Sequence, residues 1–177
     1  MNKNDIHITN HWVTSQRGEK NNVDPYKPYA FLAEEERTIQ GSIETVATIF
    51  ITNRECPYRC LMCDLWKNTT DHTVPVGAIP RQIEFALSQL PQVRHVKLYN
   101  SGNFFDGKAI PPQDFPVIAS LLRQFDTVLV ENHPNLTNRK ILDFRDLLKS
   151  NLHVAMGLET AHPQVLEKLN KSMTLAD

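Results

Sequence analysis

From Glu44 onward the chain alternates, four times over, a short run rich in β-branched and aromatic residues with a longer run of helical character. Strands are expected at residues 45–51, 93–99, 127–130 and 154–158, and helices at 79–90, 113–124, 137–149 and 163–169. In the first helix Ile83, Leu87 and Leu90 share a face, and Thr137 and Pro163 stand where an N-cap and a first-turn proline belong. Strands that are each followed by a helix return parallel to one another, so the pattern calls for an α/β fold whose parallel sheet curls toward a β/α barrel. At about 30 residues or slightly more per unit, the 133 residues from Thr45 to Asp177 supply about four units.

The first 43 residues read differently. They are polar, broken by Asn21-Asn22, Pro25 and Pro28, and offer at most a short helix around residues 31–37. We therefore divide the chain into an N-terminal extension, 1–43, and a βα domain, 44–177. A length of 177 residues with 41% hydrophobic content is enough for one packed core. No run of about 18 apolar residues exists to span a membrane, and Met1-Asn2-Lys3-Asn4-Asp5 has no apolar targeting core. A reducing, cytoplasmic setting is expected. The formal net charge of -1 argues against an extended basic face for nucleic acid within this stretch.

All three cysteines fall in one loop directly after the first of these strands: Cys56-Pro57-Tyr58-Arg59-Cys60-Leu61-Met62-Cys63, spaced C-x3-C-x2-C. Iron–sulfur clusters and structural zinc both normally take four protein ligands. A three-thiolate set therefore recruits a distant residue or leaves one position open to a small molecule. His72, nine residues after Cys63, would close a tetrahedral zinc site, although zinc knuckles usually come in pairs and no second C-x2-C exists. A disulfide would leave an odd thiol over.

With this spacing the sequence resembles the radical S-adenosylmethionine (radical SAM) superfamily. The resemblance implies a 4Fe-4S cluster on Cys56, Cys60 and Cys63, with S-adenosyl-L-methionine on the fourth iron through its amino and carboxylate groups. Reduction then releases methionine and a 5'-deoxyadenosyl radical. It also implies a partial barrel of six βα units, so the chain reads as one that stops after about four. The residue before the last cysteine, often aromatic in that family, is Met62, a thioether able to pack beside an adenine face.

In β/α barrels the chemistry sits where the βα loops converge, at the C-terminal ends of the strands. Asn100-Ser101-Gly102-Asn103 follows the second strand, at the place of the family's glycine-rich segment, and by position Ser101, Gly102 and Asn103 line the methionine end of the cofactor. These residue types also favour an ordinary strand-to-helix turn. Glu131 and Glu159, at the ends of the third and fourth strands, could accept from ribose hydroxyls or an amino group, or be solvated loop carboxylates. His133 reads as a solvated loop histidine and Trp66 as packing. Arg54, Arg59 and Lys67 surround the cysteine loop, where positive charge would favour thiolate and a reduced cluster.

The segments 101–106, 111–112, 131–134 and 157–160 further resemble the branch containing the archaeosine synthase radical subunit and the elongator catalytic subunit, which act on tRNA. The reading is a radical SAM iron–sulfur enzyme reduced by a donor such as flavodoxin or ferredoxin, acting on a small molecule or a tRNA nucleoside. The competing reading is a zinc-binding module.

Overall fold

The computed structural model describes residues 7–177. Five strands form one sheet in the order β1-β2-β3-β4-β5, namely Ala30–Arg37, Ile43–Ile51, His95–Asn100, Thr127–Glu131 and Asn151–Ala155. Strands β2 to β5 are mutually parallel, and β1 runs antiparallel to β2. After α1 (Asn10–Ser15), each parallel strand is followed by one helix: α2 (Ala78–Leu87), α3 (Phe115–Leu122), α4 (Lys140–Leu147) and α5 (Pro163–Lys168). These are the four expected βα units. Among the described residues the sheet does not close: β1 and β5 are its two edges.

Side chains along a strand alternate between faces, and the alternation decides where the core lies. Ala47, Ile49 and Ile51 of β2, Val96 and Leu98 of β3, and Val128 and Val130 of β4 are all buried against the helices. From the helices come Ile79, Ile83 and Ala86 of α2, Ile118, Ala119 and Leu122 of α3, and Phe144 of α4. Phe104, Phe105, Phe115 and Phe144 form an aromatic knot, with Phe104 and Phe144 centroids 5.2 Å apart. The opposite face is more polar. Thr48, Lys97, Leu129 and His153 make one cross-strand row there, Lys97 pairs with Glu36 of β1, and His95 lies 3.2 Å from Glu44.

Several expectations are corrected. The helix expected around residues 31–37 is strand β1, joined to β2 by a turn in which Gly41 takes φ 86° and its N–H donates to Thr38 O. Its Glu-rich run favours a helix locally, but pairing along eight residues of β2 outweighs that weak preference. The last strand lies three residues earlier than expected, so 156–159 belong to the loop beyond it. Thr137 caps no α-helix, since α4 starts at Lys140, and residues 112–114 form a 3-10 turn before α3. Pro163 does open α5.

Candidate active site

The loops at the C-terminal ends of the parallel strands are tied to one another by buried amides. The fully buried Gln82 of α2 accepts from Thr52 N–H at 2.8 Å and donates to the carbonyls of Thr52 and Pro25, both at 2.7 Å. Asn53 Oδ1 accepts from Ser101 N–H at 3.2 Å, joining the exit of β2 to that of β3. The cysteine loop is closed at its base, where Thr70 N–H donates to Asn53 O at 3.0 Å and Glu55 N–H to Thr70 O at 3.1 Å.

Within that loop all three thiols are half-buried. Cys63 N–H donates to Cys60 O at 3.2 Å, and Arg59 donates to Cys56 O. The turn after α5 holds the loop from outside, Leu61 N–H donating to Leu169 O at 2.8 Å and the Asn170 amide to Arg59 O at 2.7 Å. Asn103 donates from Nδ2 to Cys56 Sγ at 3.3 Å, while its Oδ1 accepts from His133 N–H at 2.6 Å. One side-chain amide thus bridges the cysteine loop and the loop after β4. Burial pushes the Cys56 thiol up to about 11, with the neighbouring thiols adding to it and hydrogen bonds from Tyr58 N–H and Asn103 opposing it. Burial also pushes the Cys60 thiol up. Thiols in such a setting become thiolates by gaining a strongly electrophilic partner.

Cys56, Cys60 and Cys63, the turn residues Ser101, Gly102 and Asn103, and the carboxylates Glu131 and Glu159 all line a single cavity of about 470 Å³. The sequence-derived residues are thus brought together, with four different strand ends contributing. Burial raises the Glu131 carboxyl above its ordinary value, with the Lys171 ammonium opposing. Glu159, in the left-handed region at φ 68°, meets the Lys171 Nζ at 2.8 Å. Asn132 Oδ1 is buried without a hydrogen-bond partner, and an orphaned polar atom on a residue that lines the cavity suits a bound polar ligand.

His133 is not the solvated loop residue expected from sequence. It is buried, stacks on Tyr58 at a centroid distance of 4.0 Å and 23° between planes, and contacts Lys171 O through Nε2 at 2.8 Å. Lys171 joins the site without any motif in its own segment. It is 9% exposed and lines the cavity between two residues of left-handed backbone, Asn170 and Ser172. Arg17 lines the cavity as well, over the buried ring of Trp66. Neither residue carries a local sequence signal, because both arrive from distant segments. Arg54 and Lys67 stay outside the cavity, as does His72, which is exposed.

A single zinc ion needs its ligands about 2.0–2.3 Å from one point, whereas a cluster spreads its thiolates over separate irons. Among the described residues no three His, Cys, Asp or Glu side chains converge on one ion. Three half-buried thiols lining one cavity are a donor set that a cluster with one exchangeable ligand would use, and His72 lies outside that cavity.

Comparison with known proteins places the fold. No family model matches the chain. It is similar to an uncharacterized protein of Methanocaldococcus jannaschii, 25% identical over 166 residues, and spans about half of that relative, 46% of its length and 85% of its own. Its fold is shared with a queuine lyase from Clostridium spiroforme bound to SAM and queuine, at TM-score 0.64 and 20% identity, over 83% of this chain and 60% of the lyase. The chain thus has an open α/β fold matching a partial barrel of the radical SAM type.

Proposed function

We propose that this chain carries the cluster and cofactor site of a radical SAM enzyme. The observation that carries the reading is the meeting of Cys56, Cys60 and Cys63 with the Ser101–Asn103 turn in one cavity, at the end of a parallel sheet where such sites form. Cys56, Cys60 and Cys63 would each hold one iron, leaving the fourth to S-adenosyl-L-methionine. When bound, a 4Fe-4S cluster supplies the electron that splits the sulfonium carbon–sulfur bond, giving methionine and a 5'-deoxyadenosyl radical.

The chain's own groups bind, orient and exclude water. The Glu131 carboxylate, without an ion-pair or side-chain hydrogen-bond partner among the described residues, is an acceptor for an amino group or ribose hydroxyls. Glu159, Ser101 Oγ and Asn132 Oδ1 offer further polar contacts. Met62 and the Tyr58–His133 stack give the cavity its apolar wall. We assign the electron to a donor of the flavodoxin or ferredoxin class and the setting to the cytoplasm. The substrate we favour is a modified nucleobase, free or within tRNA. Two likenesses support this, the queuine-bound structural neighbour and the resemblance to a branch acting on tRNA.

Anaerobic reconstitution of the full-length protein with iron and sulfide tests the reading. Expected are about four irons and four acid-labile sulfides per chain, and 5'-deoxyadenosine after reduction with S-adenosylmethionine present. A protein that takes up one zinc instead, and releases it on His72→Ala, would be the zinc module.

A further inference from the structure

The segment ahead of the sheet is fastened to the cysteine loop rather than merely preceding it. Val13 of α1 is buried, Asn10 Oδ1 accepts from the Asn170 amide at 2.8 Å, and Asn21 N–H donates to Lys67 O at 2.8 Å. Between these anchors stand Arg17 and Lys20. Arg17 lies 4.9 Å over the Trp66 ring, with Nη1 2.7 Å from Glu55 Oε1. Lys20 Nζ lies 2.9 Å from Glu55 Oε2 and 2.7 Å from Asp71, and Arg59 adds a third cation 3.2 Å from Glu55. Glu55 immediately precedes Cys56 and lines the cavity with it. The hub sets three cations against the carboxylates of Glu55 and Asp71.

We propose that Arg17 and Lys20, held by Glu55, are electrostatic positioning residues that raise the reduction potential of the cluster bound on the cysteine loop. This inference rests on the radical SAM reading. Reduction adds one electron from a donor of the ferredoxin or flavodoxin class, with no bond broken and no proton taken up, so the loop gains one negative charge. Fixed positive charge in a partly buried wall favours that more negative state, and charge near a cluster is one of the levers that set its potential. Trp66 covers one face of the Arg17 guanidinium and keeps water from screening it there.

Charge and scaffold roles separate cleanly, because Arg17→Gln and Glu55→Gln break the same 2.7 Å ion pair while changing the local charge in opposite senses. A redox titration of the anaerobically reconstituted full-length protein, followed by electron paramagnetic resonance without S-adenosylmethionine, reads the midpoint directly. Arg17→Gln is expected to move it down, Glu55→Gln up, and Arg17→Lys to leave it near the wild-type value. Should Arg17→Gln fail to hold iron, Lys20→Gln, which also removes one positive charge from the hub, must give the same downward shift. Shifts of one sign for Arg17→Gln and Glu55→Gln, or none, overturn the inference while the radical SAM reading stands. A wild-type protein that assembles no cluster ends both.

Discussion

Gly102 and Cys56 touch across two loops: a methyl group placed on Gly102 would stand 3.2 Å from Cys56 Cβ. The glycine turn after β3 is therefore packed on a cysteine, and the two proposed halves of the site, cofactor pocket and iron ligands, share one contact. Gly102→Ala asks the Cys56 backbone to yield by a few tenths of an ångström, and Gly102→Val adds two further carbons at the same place. We expect Gly102→Ala to keep iron and bind S-adenosylmethionine more weakly. Gly102→Val is expected to lower iron content itself, measured per chain after reconstitution.

On the proposed reading, loss of any one thiol removes an iron ligand. Cys56→Ala, Cys60→Ala and Cys63→Ala are each expected to abolish stable cluster assembly and the formation of 5'-deoxyadenosine, measured by iron and sulfide analysis and by chromatography. A variant that retained four irons per chain would sink the assignment.

Asn103 serves Cys56 and His133 at once. Asn103→Ala leaves the His133 N–H buried without its acceptor, which typically costs about 1–3 kcal/mol. The urea midpoint of the metal-free protein should fall accordingly.

Burial holds the His133 imidazole below its ordinary value. Asn135 N–H donates to Nδ1 at 3.2 Å, which assigns the proton to Nε2, facing Lys171 O. The second, titrating proton is taken up at Nδ1, and the unfolded chain binds it at a higher pH than the folded one. The stability contributed by His133 is full above the ordinary imidazole value of about 6.5 and is lost as pH falls through the lower, folded value. His133→Gln should flatten the decline in urea midpoint between about pH 7.5 and about pH 5.5.

The raised Glu131 carboxyl has the opposite sign. Its folded form binds the proton more tightly than the unfolded chain, so ionising it at neutral pH weakens the ligand-free protein. Glu131→Gln should raise the urea midpoint of that protein at neutral pH while weakening its binding of S-adenosylmethionine, read by calorimetric titration. A gain in stability with unchanged affinity would return Glu131 to a purely structural role.

The parallel sheet was legible because each of its strands and helices carries its own periodicity, and the cysteine loop because its spacing is local. Both survive in the structure within a few residues. What stayed hidden depends on partners far off in sequence. Residues 30–37 form a strand because β2 lies beside them, not because of their own composition. His133 is buried because Tyr58 covers it. Arg17 and Lys171 reach the cavity through ion pairs, packing and a left-handed backbone that no short motif encodes. The contact between the two loops at Gly102 and Asn103 is likewise tertiary and leaves no mark in either segment alone.

The contacts that hold the cysteine loop from outside span large stretches of chain. Asn170 reaches Arg59 across 111 residues and Asn10 across 160. Bringing such distant segments together carries the greatest loop-closure entropy, and contacts of this kind slow folding. The sheet and its local turns have no need to wait for them. Contacts closed over such separations are expected to form late, so during refolding the thiols should stay open to an alkylating reagent for longer than the sheet takes to pair.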